Sequence, residues 1–157
     1  MPEVMYPDAG YASFRCAQAD ELGVRTMHPG DEVVETCREL SGRRGGFDVA
    51  FERSGAPGAL PALFEAVRRE AVVVTVGHPS RPTEIDLAGH INKKGITLRG
   101  VFGRRLWDSW EELLLLESGR LELDWLVTLR MRLDDIDEAI GLLTGDGGKV
   151  LLLPNLT

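Results

Sequence analysis

The chain has 157 residues, 43% of them hydrophobic, and a formal net charge of −7. That length supplies the core of one domain rather than two, and the acidic balance excludes a nucleic-acid reader, which shows a basic face. Cys16 and Cys37 lack the paired spacing of a zinc knuckle or redox motif, and no apolar run reaches bilayer length, so a reduced, cytoplasmic protein without leader or membrane span is expected.

In chain order, Val4–Asp8 predicts a short strand in which Pro7 fits only near the end. Ala12–Leu22 follows as an amphipathic helix stopped by Gly23. Asp31 is placed to cap a helix over Glu32–Leu40, with Val33, Val34, Cys37 and Leu40 on one side, and the glycine-arginine cluster Ser41–Gly46 ends it. Phe47–Glu52 reads as a strand, Ser54–Gly58 as a turn and Ala59–Arg68 as a helix. Ala71–Val76, with four valines, predicts a buried parallel strand that Gly77-His78-Pro79 terminates. After a polar loop and Ile85–His90 come a strand over Ile96–Val101 and a helix over Leu106–Ser118. The tail predicts an extended Val127–Leu133, a helix Asp134–Leu143 with acids at its positive end, and a last strand Lys149–Leu153. Strand and helix signals alternate throughout, which favours a parallel α/β sheet.

Ligands of such a sheet gather beyond the carboxyl ends of the strands. The residues there are Asp8, Ser54-Gly55, Gly77-His78 and Phe102-Gly103. A phosphate-binding G-x-G-x-x-G turn occurs nowhere; Gly42–Gly46 and Gly145–Gly148 have neither its spacing nor its strand-turn-helix context. Cys16, Cys37, His28, His78 and His90 fall on separate elements without the spacing of zinc ligands.

The richest stretch is Gly95–Trp110, where a β-branched run enters Gly100-Val101-Phe102-Gly103, then two arginines, then a helix. With Phe47–Gly55 and Arg130–Leu153 it resembles the C-terminal half of the zinc-type medium-chain alcohol dehydrogenases, most closely their threonine-dehydrogenase branch. The resemblance implies an α/β fold: a partial Rossmann-like parallel sheet lacking the first strand and the GxGxxG turn. Residues 1–157 would form one incomplete NAD-binding domain, with the zinc catalytic domain absent. NAD is the implied cofactor. Asp8 would accept the adenosine ribose hydroxyls and repel a 2′-phosphate, with Arg15 beside it. Val76, Gly77 and His78 would run along the cofactor near the nicotinamide, and the backbone of Val101 and Phe102 would hold its carboxamide. Each has a plainer alternative: a turn aspartate, a strand-ending glycine, a core aromatic. Lys149 either approaches the pyrophosphate or is a solvated strand-start charge, while Trp107 and Trp110 read as packing residues.

Zinc, implied by the family, would have no ligands in this chain. A homo-oligomer, or a partner chain supplying the missing half, is implied as well. The chain departs from the family pattern at Arg69-Glu70, where a glycine pair normally opens the strand, and at Leu129, where histidine is frequent. Two classes of function follow. One is NAD-dependent oxidation of a secondary alcohol such as L-threonine, with the isolated chain inactive. The other is a non-catalytic remnant, an interaction or oligomerisation module, or one half of a split dehydrogenase.

Overall fold

The computed structural model describes residues 3–5, 9–27, 32–103, 109–142 and 148–155, with side chains from residue 15 onward except at Ser109. In chain order the main elements are β1 (Glu3–Met5), α1 (Ala9–Glu21), β2 (Arg25–Met27), α2 (Val33–Ser41), β3 (Phe47–Glu52), α3 (Ala59–Ala66), β4 (Val67–Thr75), β5 (Thr97–Gly100), α4 (Ser109–Glu117), β6 (Val127–Arg132), α5 (Ile136–Leu142) and β7 (Lys149–Leu153). No helix among the described residues is long and apolar enough to cross a membrane. The chain forms two compact units, residues 1–28 with 104–157 and residues 29–103.

In the first unit β1 pairs with β2 and β6 with β7, both in parallel. Gly23 closes α1 as its sequence position predicts. It takes φ 72°, its N–H donates to the Asp20 carbonyl at 2.9 Å and the Val24 N–H reaches back to Ala19 at 2.9 Å, so two orphan carbonyls of the last turn are satisfied. Among the described residues of this unit, Cys16, Ala19, Met27 and Ala139 are the buried apolar ones. The strand β2 has no counterpart in the sequence reading, because three residues are too few for a period to register.

The second unit is a parallel sheet in the order β3-β4-β5. Its core is Phe64, Val67, Ala71, Val73 and Ile96, against which Ala50, Leu60, Ile85 and Ile91 pack. Phe64 is fully buried and stacks on His90 with ring centroids 5.3 Å apart; burying such a ring stabilises the unit by about 2–3 kcal/mol. The helix α3 stops at Ala66 rather than Arg68, because Val67 is already extended and β4 starts there. Phe47 pairs with Val67 but Val49 with Val72, so residues 68–71 bulge out of register. Within the bulge Glu70 has φ 59°, alone among the described non-glycine residues in taking positive φ, and its N–H donates to the Lys94 carbonyl at 2.8 Å. Between β4 and β5 the chain makes a π-helical turn, Leu87–Asn92, capped by the Asp86 carboxylate accepting from the Gly89 N–H at 2.9 Å. Asp31, the expected cap of α2, lies outside the described residues; Glu32 precedes the helix with no side-chain bond to it.

In the doubly wound strand order 3-2-1-4-5-6 the first strand stands at the centre of the sheet. Nothing in this sequence corresponds to it, and β1-β2 and β3-β4-β5 form separate sheets.

Candidate functional site

Because β3, β4 and β5 are parallel neighbours, their carboxyl ends lie side by side, with Glu52 opposite Thr75 and Thr75 opposite Gly100. The pairing continues past the strands. The Val76 and Gly77 N–H groups donate to the Glu52 carbonyl at 2.7 and 3.0 Å, and the Val101 N–H donates to the Thr75 carbonyl at 3.1 Å. The turns that follow, beginning at Arg53, Val76 and Val101, therefore share one edge.

What locks two of these turns together is Glu52. The residue is only 6% exposed, and its Oε1 accepts from the Ser54 N–H at 2.7 Å, the Ser54 hydroxyl at 2.7 Å and the Gly55 N–H at 2.8 Å. Burial on its own would raise this carboxyl; the Ser54 hydroxyl and the Gly55 and Ser54 amides outweigh it and hold Glu52 below the ordinary glutamate value of 4.5. A methyl group on Gly77 would stand 2.4 Å from the Gly55 nitrogen and 2.5 Å from Glu52 Oε2. Gly55, at φ 65°, comes equally close to His78: an added Cβ would meet that carbonyl oxygen at 2.7 Å. The two glycines interlock, and each is required by the approach of the other's turn. Glu52 is absent from the sequence-derived candidates. The signal was its parity: it falls on the same side of β3 as Ala50, which packs on the core, and is followed at once by Ser-Gly.

Of the sequence-derived residues, Val76, Gly77, His78, Val101 and Phe102 come to this one edge of the second unit. Val76 and Gly77 are half-buried and His78 is exposed. Val101 is half exposed and Phe102, at 86%, almost wholly so, unlike a core aromatic. Arg15 belongs to the first unit, on α1, where its guanidinium donates to Gln18 Oε1 at 3.5 Å. Asp8, Arg104, Arg105 and Trp107 lie outside the described residues. Lys149 opens β7 in the first unit and is exposed. Next to the interlocked turns is a cleft of about 370 Å³ between the Gly55–Pro61 segment and Pro79–Glu84. For zinc the residues do not fit: among those described, no three His, Cys, Asp or Glu side chains gather to hold a metal, and Cys16 and Cys37 are buried, outside any disulfide, and in different units.

A sequence profile of the zinc-binding dehydrogenases matches residues 11–118. The chain belongs to the zinc-binding dehydrogenase family. It corresponds to the C-terminal half of the medium-chain members, and its sheet is their Rossmann-like α/β sheet. Over 148 residues it is 38% identical to L-threonine 3-dehydrogenase of Symbiobacterium thermophilum, which spans 91% of this chain and 42% of that enzyme. L-threonine 3-dehydrogenase of Pectobacterium atrosepticum is 28% identical over 142 residues, 89% of this chain and 39% of its own. The crystal structure of 2R,3R-butanediol dehydrogenase from Bacillus subtilis superposes with a TM-score of 0.82 at 30% identity, over 98% of this chain and 43% of that one. Alcohol dehydrogenase TADH from Thermus sp. ATN1 reaches 0.84 at 24% identity and speaks for the fold alone. This member of the zinc-binding dehydrogenases thus spans about two fifths of the relatives it matches.

Proposed function

We propose that this chain supplies the cofactor-binding part of an NAD-dependent dehydrogenase that oxidises a secondary alcohol of the L-threonine type. The observation that carries the reading is the shared edge of three parallel strand ends, where interlocked glycine turns stand beside the exposed Val101–Gly103 segment. Val76, Gly77 and His78 face one side of the nicotinamide and the main chain of Val101 and Phe102 holds its carboxamide. Asp8, assisted by Arg15, accepts the ribose hydroxyls and disfavours a 2′-phosphate. NAD, held by these residues, would supply the hydride acceptor for the alcohol carbon. A zinc that activates the alcohol would need ligands from outside the described residues of this chain. L-threonine as substrate rests on the likeness to the Symbiobacterium enzyme.

Titrating the purified chain with NADH, read by nicotinamide fluorescence, tests the reading. Saturable binding that Asp8→Ala weakens about tenfold is expected, the worth of one charge-assisted hydrogen bond. A folded chain that binds no NADH overturns it. In that case a second reading, an interaction module, stands on its own observation. The strand β3 is an edge of its sheet and exposes Val49 and Phe51, at 47% and 61%. An edge strand of this kind offers its unpaired backbone groups to a further strand.

A further inference from the structure

The opposite, amino end of β3 and β4 carries a different feature. A cavity of about 450 Å³ opens there, lined by Arg38, Arg44, Glu65, Arg68, Arg69 and Lys94. Five of those six side chains are cations, in a chain whose net charge is −7. Their own acids do not balance them. Arg38 Nη2 meets Glu65 Oε2 at 3.1 Å, with Glu35 at 3.7 Å from Nη1. Arg44 and Arg68 share a single carboxylate, Asp48, at 2.7 and 2.6 Å. Arg69 makes only a 3.4 Å bond to the Lys93 carbonyl, and Lys94 donates to the Phe64 carbonyl; neither has an ion pair among the described residues. Burial, together with the nearby Arg38 and Arg69 and opposed by Glu65, holds the Lys94 ammonium below its usual value.

A second observation falls on the same wall. Arg69 and Lys94 are held together through the bulge of β4, whose Glu70 sits at φ 59° and is tied by its N–H to the Lys94 carbonyl. A glutamate in the left-handed region costs about 1 kcal/mol or more, and backbone strain of this kind concentrates at binding sites. We propose that this cavity binds a small phosphate-class anion carrying two or more negative charges. Guanidinium groups offer the planar, two-pronged donors that phosphate oxygens accept. The net charge of the chain disfavours a long polyanion, and the cavity volume suits a compact one.

The site stands on observations separate from those of the dinucleotide reading, and lysine acylation of the full chain tests it on its own. The chain has three lysines, Lys93, Lys94 and Lys149. Their acylation by an amine-reactive ester, mapped by mass spectrometry, is followed with inorganic pyrophosphate and with chloride at equal ionic strength. Pyrophosphate should slow Lys94 saturably, by about fivefold or more, and leave Lys149 unchanged. The exposed substitution Arg69→Gln should raise the pyrophosphate concentration needed by about tenfold. Asp48→Asn, which releases Arg44 and Arg68, should lower it, an outcome that a damaged fold does not produce. A parallel arm with NADH identifies the source of the phosphate. Protection of Lys94 by pyrophosphate but not NADH means a free anion; protection by both means the phosphates of the dinucleotide. Equal labelling of Lys94 in pyrophosphate and chloride, or protection that Arg69→Gln leaves unchanged, overturns the proposal, whatever the outcome of the NADH titration.

Discussion

At the carboxyl end of the β3-β4-β5 sheet the buried charge is a single carboxylate, Glu52, with three donors on Oε1 and two glycines packed around it. At the amino end charge is plural and half exposed, with five cations around a cavity and a glutamate held at φ 59° beside them. The first end is preorganised through contacts the chain makes with itself. The second keeps donors whose partners lie outside the chain's own acids. The same three strands thus present a built edge and an electrostatic one, and the two respond differently to substitution.

The largest effect belongs to the built edge. Gly77→Ala puts a methyl 2.4 Å from the Gly55 nitrogen, which is backbone and cannot rotate away. The turns after β3 and β4 must part, at a cost of about 3 kcal/mol. Urea unfolding should report that loss, and NADH binding should vanish with it. Lysine protection by pyrophosphate at the amino end should survive wherever the variant is still folded. An unchanged urea midpoint would show that the two turns are not locked as described.

Next comes Glu52 itself. Glu52→Ala leaves the Ser54 hydroxyl and two backbone amides without their acceptor and should cost about 2 kcal/mol. The carboxyl is held below the ordinary value of 4.5, so its contribution is complete above that pH and disappears as pH falls through the lower native value. The wild-type chain should therefore lose stability on the acid side of 4.5, and Glu52→Gln should flatten that limb of the stability profile. Identical acid limbs for the two would remove Glu52 from the account.

Legibility in the sequence followed the physical strength of each signal. Phe47–Glu52 and Lys149–Leu153 are strands with the bounds their patterns predict, because each apolar run follows a glycine pair and ends at a turn former, Ser54-Gly55 in the first and Pro154-Asn155 in the second. The strand β4 begins four residues before Ala71, since Arg68-Arg69-Glu70 reads as a polar helix end and only the tertiary bulge makes it strand. Val76–His78 and Val101–Phe102 could be set at one sheet edge from strand order alone. Glu52 could not, because a lone acid after a strand belongs to no motif and its role depends on which turn crosses it. Phe102 had both a site and a core reading; its exposure comes from the structure. The replacement of a family glycine pair by Arg69-Glu70 was visible as a departure, but its backbone consequence was not.

That departure supplies the smallest and most discriminating prediction. Glu70→Gly removes a side chain from a backbone that only glycine adopts without strain, a gain of about 1 kcal/mol or more, and gives part of it back through the greater freedom of glycine in the unfolded chain. A net rise of about 0.5 kcal/mol, or about 2 °C in Tm, should follow. If the Glu70 side chain, whose Cγ lies 3.7 Å from where a Cβ on Gly95 would stand, contributes more by packing than it costs in strain, Tm should fall instead. Pyrophosphate protection of Lys94, measured on the same variant, decides what the strain is for. Protection lost in a protein that has become more stable would mean that the bent backbone holds Arg69 and Lys94 in register for the anion. Protection kept would mean that the cations need no such tension, and that the amino end, like the carboxyl end, is organised by packing alone.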